Sequence, residues 1–188
     1  MTRRELNRAA KAYVRVCKYL GISLKGECEK TPIRAVKALA EMTENVGRVE
    51  KDFFDFEFTT FDSTGDQLVT IGPIRYSSLC EHHHLPFFGE FYIGYVPSKK
   101  IAGLSKFARL VRFYSKAPNT QERLTARVAD KLSELLKPEG LCVICSGLHT
   151  CICSRGANQH AKTVTSAIRG NCGVQIKSEV VALIYKDR

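Results

Sequence analysis

Two clusters of metal-binding side chains, far apart in sequence, constrain this chain more than anything else: Cys80-Glu81-His82-His83-His84 and His149-Thr150-Cys151. Cysteine and imidazole are the side chains that bind Zn²⁺ best, so clusters this far apart imply a site assembled by folding. A structural zinc site uses four protein ligands. Three ligands leave a position open for water and make the ion a catalyst.

Cys80, His82 and His83 fall in a turn just after a predicted strand, and Pro86 favours a fixed loop there. Leu148 to Cys153 reads as a strand, and a period of two puts His149, Cys151 and Cys153 on one face. A Cys-x-x-His turn opposite that face can close around one zinc through Cys80, His83 and Cys151. His82 and His149 are then left for acid-base work, because imidazole titrates near neutrality. The plain alternative is a polar histidine loop and core cysteines. Cys142-Val143-Ile144-Cys145 has knuckle spacing, but within one strand residues three apart face opposite sides, so it reads as core. Cys17, Cys28 and Cys172 have no ligand spacing.

Helical periodicity covers residues 5–20 and stops at Gly21; Thr31 as N-cap and Pro32 at the first position start a second helix. Asp52 to Asp66 is aromatic-rich without a period and reads as a connecting segment packed on the core. Strands are predicted at 68–71, 74–79, 88–96, 141–153 and 163–168, and helices at 105–116 and 120–137. Periodicity leaves Val180 to Tyr185 undecided between helix and strand. The order is that of an α+β domain, residues 61–188, behind an N-terminal helical extension, residues 1–60.

The 188 residues suffice for one domain with a core, and no apolar run approaches the roughly 20 residues of a membrane span. No signal-peptide pattern opens the chain, so it reads as a soluble cytoplasmic protein with reduced thiols. A net charge of +10 favours an anionic partner such as a nucleotide polyphosphate or nucleic acid. Ser105, Lys106 and Arg109 open a helix whose N-terminus suits phosphate, and Arg155 closely follows the second metal cluster. Arg112, Lys116 and Arg127 read as a solvated helical face. Glu122, among many cations, can accept two hydrogen bonds from the N1–H and N2–H₂ edge of a guanine; an ion pair with Arg123 is the plain alternative.

Four motifs in register carry a resemblance: Cys80-Glu81-His82-His83, Gly103-Leu104-Ser105-Lys106-Phe107-Ala108-Arg109, Gln121-Glu122-Arg123-Leu124-Thr125 and His149-Thr150-Cys151. Thr31-Pro32-Ile33-Arg34 and Lys162-Thr163-Val164-Thr165-Ser166 fit as well. From about residue 30 to residue 170 the chain resembles GTP cyclohydrolase I. After Gly170 it departs from the usual ending of that family.

The resemblance implies a T-fold (tunnelling fold): an antiparallel sheet with paired helices, assembled into rings that stack as a homodecamer of two pentamers with active sites between subunits. It implies one Zn²⁺ per subunit on Cys80, His83 and Cys151, with His82 and His149 as catalytic histidines. Glu122 resembles the guanine anchor, with Gln121 beside it. Ser105 resembles a ribose or phosphate contact, and Lys106, Arg109, Arg155, Arg34 and Lys37 a triphosphate clamp. The reaction it implies is hydrolysis of GTP at C8, release of formate and rearrangement to 7,8-dihydroneopterin triphosphate. That product feeds folate, biopterin or deazapurine routes. The resemblance also makes the C-terminal tail a helix and implies no nucleic-acid and no membrane partner. The rivals are a sibling T-fold enzyme acting on a pterin or deazapurine, and a zinc-stapled nucleic-acid-binding protein. The intact pairing of Cys80 and His83 with His149 and Cys151 argues against the sibling, and the stapled protein needs a fourth ligand.

Overall fold

Alternating apolar residues build the centre of the structure, a five-stranded sheet in the order β5-β2-β3-β6-β7. The computed structural model describes residues 1–50, 58–63, 65 and 67–186. The strands are β1 (Thr60–Asp62), β2 (Val69–Cys80), β3 (Pro86–Val96), β4 (Lys100–Ala102), β5 (Pro118–Asn119), β6 (Gly140–His149) and β7 (Lys162–Gly170). Neighbours β2, β3, β6 and β7 run antiparallel, while the short β5 lies parallel to the end of β2. β1 and β4 form a separate two-stranded sheet. The two segments predicted at 68–71 and 74–79 are one strand, β2, with a register shift between Ile71 and Ile74.

The two faces of the sheet bury different partners. Phe87, Phe91, Ile93 and Tyr95 of β3 pack with Val143 and Cys145 against α3 (Leu104–Ser115) and α4 (Gln121–Leu136). Phe107, Leu110, Leu124, Val128 and Leu132 fill that layer with no exposed surface. Each such side chain contributes about 1.5–3 kcal/mol when it leaves water. On the opposite face Tyr92, Cys142 and Ile144 receive Ile176 and Val180 of a C-terminal helix, Val174–Lys186. Gly94 makes this possible, because a Cβ there would lie 2.3 Å from Cγ2 of Val180. The undecided stretch at 180–185 is therefore helical. Its run of apolar residues is explained by packing on a sheet.

The chain divides into two compact units, Met1–Glu44 and Asn45–Arg188. The first holds α1 (Arg3–Tyr19) and α2 (Thr31–Met42). A capping box starts α1: Thr2 Oγ1 accepts from the Glu5 amide at 3.3 Å, and Glu5 Oε2 accepts from the Thr2 nitrogen at 2.7 Å. Gly21, at φ 69°, ends it as its composition predicts. Thr31 is the first residue of α2 and not its cap; Lys30 precedes the helix and no side chain bonds its terminus. Of the aromatic connecting segment, Phe53, Phe54 and Phe56 lie outside the described residues, Phe58 packs on the core and Thr60–Asp62 is β1. Among the described residues no helix is long and apolar enough to cross a membrane.

Candidate metal centre and acid-base site

β2 runs into β3 through a tight connection that displays the first cluster. The Cys80 amide donates to the Leu85 carbonyl at 2.9 Å and the His84 amide to the Cys80 carbonyl at 2.8 Å. His84 takes φ 50° to close the turn. The Asn119 carbonyl of β5 accepts from the Glu81 amide at 3.1 Å and supports the loop from the other side. His82 and His83 are exposed on this turn, while Cys80 is buried at its base.

The second cluster does not have the predicted backbone. β6 ends at His149, and Thr150–Cys153 is a single helical turn, α5. Cys151 and Cys153 therefore do not share a strand face with His149. The reason is local: the Ser154 amide bonds the Thr150 carbonyl at 2.9 Å, Ser154 Oγ bonds the same carbonyl, and Thr150 Oγ1 bonds the Pro86 carbonyl at 2.6 Å. The helical turn folds Cys151 back over the end of β2. Cys142 and Cys145 face opposite sides of the sheet and lie in separate core clusters.

Cys80, His83 and Cys151 meet there. Cys80 Sγ lies 3.6 Å from His83 Nδ1 and 3.9 Å from Cys151 Sγ. All three donor atoms fall within 4.8 Å of one another, and among the described residues no other group of three His, Cys, Asp or Glu does this. Tetrahedral zinc with ordinary bond lengths separates two sulfurs by about 3.8 Å and a sulfur from a nitrogen by about 3.6 Å. The donor set thus fits zinc in both chemistry and spacing. Burial, with Cys80 beside it, pushes the Cys151 thiol up, and the Arg155 charge acts the other way. A thiol that resists ionisation beside a second thiol is what a dication relieves.

His149 stands beside this triad. Its ring lies flat on Phe87, centroids 4.6 Å apart and planes 3° apart, and its Nε2 lies 2.9 Å from Gln121 Oε1. Burial lowers its pKa from the ordinary value, opposed by the Glu122 carboxylate. Glu122 follows Gln121 in the first turn of α4 and makes no ion pair among the described residues, since Arg123 is held by Glu81 instead. Gln121 is 1% exposed. His82 Nε2 lies 3.7 Å from Glu81 Oε1. Arg155 is exposed just beyond α5.

Ser105, Lys106 and Arg109 are not in this constellation. They open α3, where Phe107 packs 5.7 Å from Tyr95, ring to ring. Tyr95 pairs with Val69, at the far end of β2 from Cys80. At about 3.3 Å per residue, that strand puts roughly 30 Å between the cationic helix start and the metal triad. Arg34 and Lys37 are exposed on α2, in the first unit. Sequence reasoning missed Phe87 under His149 and the Glu81–Arg123 pair. The first depends on cross-strand register, which one strand does not disclose. Glu81, a carboxylate between two candidate ligands, could have signalled the second.

A three-donor set of the kind zinc takes, with an imidazole and a carboxylate that has no ion pair among the described residues, stands at one end of an α+β sheet and defines the class of the site: a candidate metal centre beside groups that acid-base chemistry uses. A model of the GTP cyclohydrolase I family matches residues 9–185, and the chain belongs to that family, with its T-fold. GTP cyclohydrolase 1 of Deinococcus radiodurans is 43% identical over 143 residues, covering 76% of this chain and 65% of the relative. GTP cyclohydrolase 1 of Streptomyces coelicolor is 42% identical over 159 residues, 82% of this chain and 78% of the relative. The chain thus spans a little under two thirds of the Deinococcus protein. A crystal structure of an archaeosine synthase, QueF-Like, in its apo form matches 59% of this chain and all of that one at 16% identity and a TM-score of 0.45.

Proposed function

We propose that this chain is a zinc-dependent GTP cyclohydrolase I, converting GTP to 7,8-dihydroneopterin triphosphate and formate. The observation that carries the proposal is the Cys80, His83 and Cys151 triad at tetrahedral spacing, with His149 at its side, in a member of that family. Residues 61–188 serve as the catalytic domain and residues 1–60 as its extension.

Zinc held by the triad supplies a Lewis acid that makes water nucleophilic near neutral pH. The remaining steps belong to side chains. Glu122, unpaired at the start of α4, accepts the N1–H and N2–H₂ of guanine and fixes C8 toward the triad. His149 gives a proton to N7 as the imidazole portion of the base gains electron density. His82, exposed at the loop surface, carries protons in the later ring opening and closure. Ser105, Lys106, Arg109, Arg155, Arg34 and Lys37 hold ribose and triphosphate, matching a net charge of +10 to a polyanion.

The roughly 30 Å between the start of α3 and the triad gives this clamp an architecture. Lys106, at the start of α3, is far from its own chain's triad, which favours a neighbouring copy as the source of the clamp. A homodecamer of two stacked pentamers, with sites shared between subunits, meets this requirement. The test is incubation of purified protein with GTP, following formate and the fluorescence of the oxidised pterin. Product that is lost on chelation and in His149→Ala supports the reading. No product from zinc-loaded, ring-assembled protein overturns it.

A further inference from the structure

Gln121 has a fully determined orientation. Its Nε2 lies 3.1 Å from the Cys145 carbonyl oxygen, 3.0 Å from that of Thr163 and 3.2 Å from Thr165 Oγ1. Backbone carbonyls only accept, so the NH₂ must face them and the amide cannot be flipped. The hydroxyls agree. Thr125 Oγ1 donates to the Gln121 backbone carbonyl at 2.8 Å and lies 2.7 Å from Thr165 Oγ1. With its hydrogen given to that carbonyl, Thr125 Oγ1 accepts from Thr165, and Thr165 Oγ1 in turn faces the Gln121 NH₂, whose two hydrogens are shared among the three acceptors. The bonds run in one direction around a partly buried circuit.

Only the oxygen Oε1 is left, and it faces His149 Nε2 at 2.9 Å. Oε1 is an acceptor, so Nε2 carries hydrogen. Gly147 keeps the space open: a Cβ there would stand 2.5 Å from Gln121 Oε1 and 2.6 Å from the Tyr76 hydroxyl. Phe87 fixes the plane of the imidazole and Gln121 its rotation within that plane. Among the described residues Nδ1 has no protein partner.

We propose that Gln121 is a positioning residue that locks His149 in the Nε2–H tautomer, so that every proton it exchanges with substrate passes through Nδ1. The proposal rests on the reading of His149 as a proton carrier. In the transfer to guanine N7, Nδ1 first takes a proton from the water that adds at C8, so the ring becomes the imidazolium; the Nδ1–H bond then breaks, its electron pair returns to the ring and the new N–H forms at N7. Nε2–H stays bonded to Oε1 throughout, so the ring need not turn between giving and regaining the proton. From sequence, Gln121 reads as a substrate contact beside Glu122. At 1% exposure its amide reaches no ligand, and it acts on the reaction through His149.

The experiment uses the full-length zinc-loaded protein with three variants: Gln121→Leu, Gln121→Glu and His149→Ala. Solid-state NMR of protein carrying ¹³C,¹⁵N-histidine reads the tautomer, with His149 signals identified by their loss in His149→Ala. Wild type should show the Nε2–H pattern, and an Nδ1–H pattern overturns the proposal without any variant having to fold. Gln121→Leu should show mixed tautomers and lose about 100-fold in kcat with KM within about twofold, the scale of a general acid's contribution. Gln121→Glu, whose protonated carboxyl keeps an acceptor toward Nε2, should recover most of that loss and the wild-type tautomer. Unchanged kcat in Gln121→Leu, or a raised KM at constant kcat, overturns the positioning role. If wild type turns GTP over and His149→Ala does so equally well, it is the proton-carrier reading that fails, while the NMR result still tests the lock.

Discussion

Arg123 grips Glu81 with both terminal nitrogens of its guanidinium, Nη2 meeting Oε1 at 3.1 Å. Glu81 sits between Cys80 and His82, and Arg123 sits next to Glu122, so this ion pair ties the loop of metal donors to the turn that offers the free carboxylate. Arg123 is 54% exposed, which limits the pair's worth to folding to under about 1 kcal/mol. Its effect should instead appear in the metal centre. Arg123→Ala should leave the melting temperature nearly unchanged and weaken zinc binding about tenfold, as loss of an orienting partner does. Competition with a chromophoric chelator measures this. Unchanged zinc affinity would show that the loop holds its shape without α4.

Cys151 joins the triad from a single helical turn, so it has no strand ladder to hold it. Cys151→Ser should abolish stoichiometric zinc and GTP turnover together while far-UV circular dichroism stays unchanged, because the core layer that Cys151 borders is carried by Phe87, Phe91, Phe107, Leu110 and Leu124 and serine nearly matches cysteine in size. Metal analysis of the purified variant is the check. Full zinc content in Cys151→Ser would require a different donor.

Glu122→Gln keeps size and shape but turns an NH₂ toward the guanine edge, donor against donor. A site built to bond a polar edge loses heavily when that bond is reversed, and kcat/KM for GTP should fall at least about 100-fold. Zinc content should be untouched, which separates this effect from damage to the centre. Steady-state kinetics with GTP decide it, and a fall of only a few-fold would remove Glu122 from base recognition.

How much of this was legible in the sequence depended on the range of each interaction. Phe91, Ile93 and Tyr95 declared their shared face through a period of two, and Phe107, Leu110, Val111 and Tyr114 declared a helix face; all are buried as read. The tail at 180–185 was ambiguous because a helix lying across a sheet, with Val180 over Gly94, needs apolar residues without a strict period. The strand predicted through Cys153 failed for a different reason. Alternation is blind to Thr150 and Ser154, whose hydroxyls bond nearby carbonyls and help bend the chain into a turn. The spatial triad survives that error because a turn also brings Cys151 to the end of β2. The separation of Lys106 from Cys80, roughly 30 Å along the strand, was invisible, since no local pattern reports which end of a sheet a helix starts from.

Cys142 and Cys145 test the structure where a motif search would mislead. Their spacing is that of a zinc knuckle, yet they point to opposite faces of β6 and neither is exposed. Burial pushes the Cys145 thiol up to about 12 and that of Cys142 to about 11. A raised thiol pKa keeps the group protonated, so under mildly alkaline conditions little of Cys145 is thiolate, the form that reacts. Brief iodoacetamide treatment of the native zinc-loaded protein under those mildly alkaline conditions should therefore alkylate exposed Cys28 and leave Cys142 and Cys145 unmodified until denaturant is added. Peptide mapping by mass spectrometry reads each site separately. Modification of Cys145 at the rate of Cys28 would mean that β6 is open to solvent, and with it the hydrogen-bond circuit that orients Gln121.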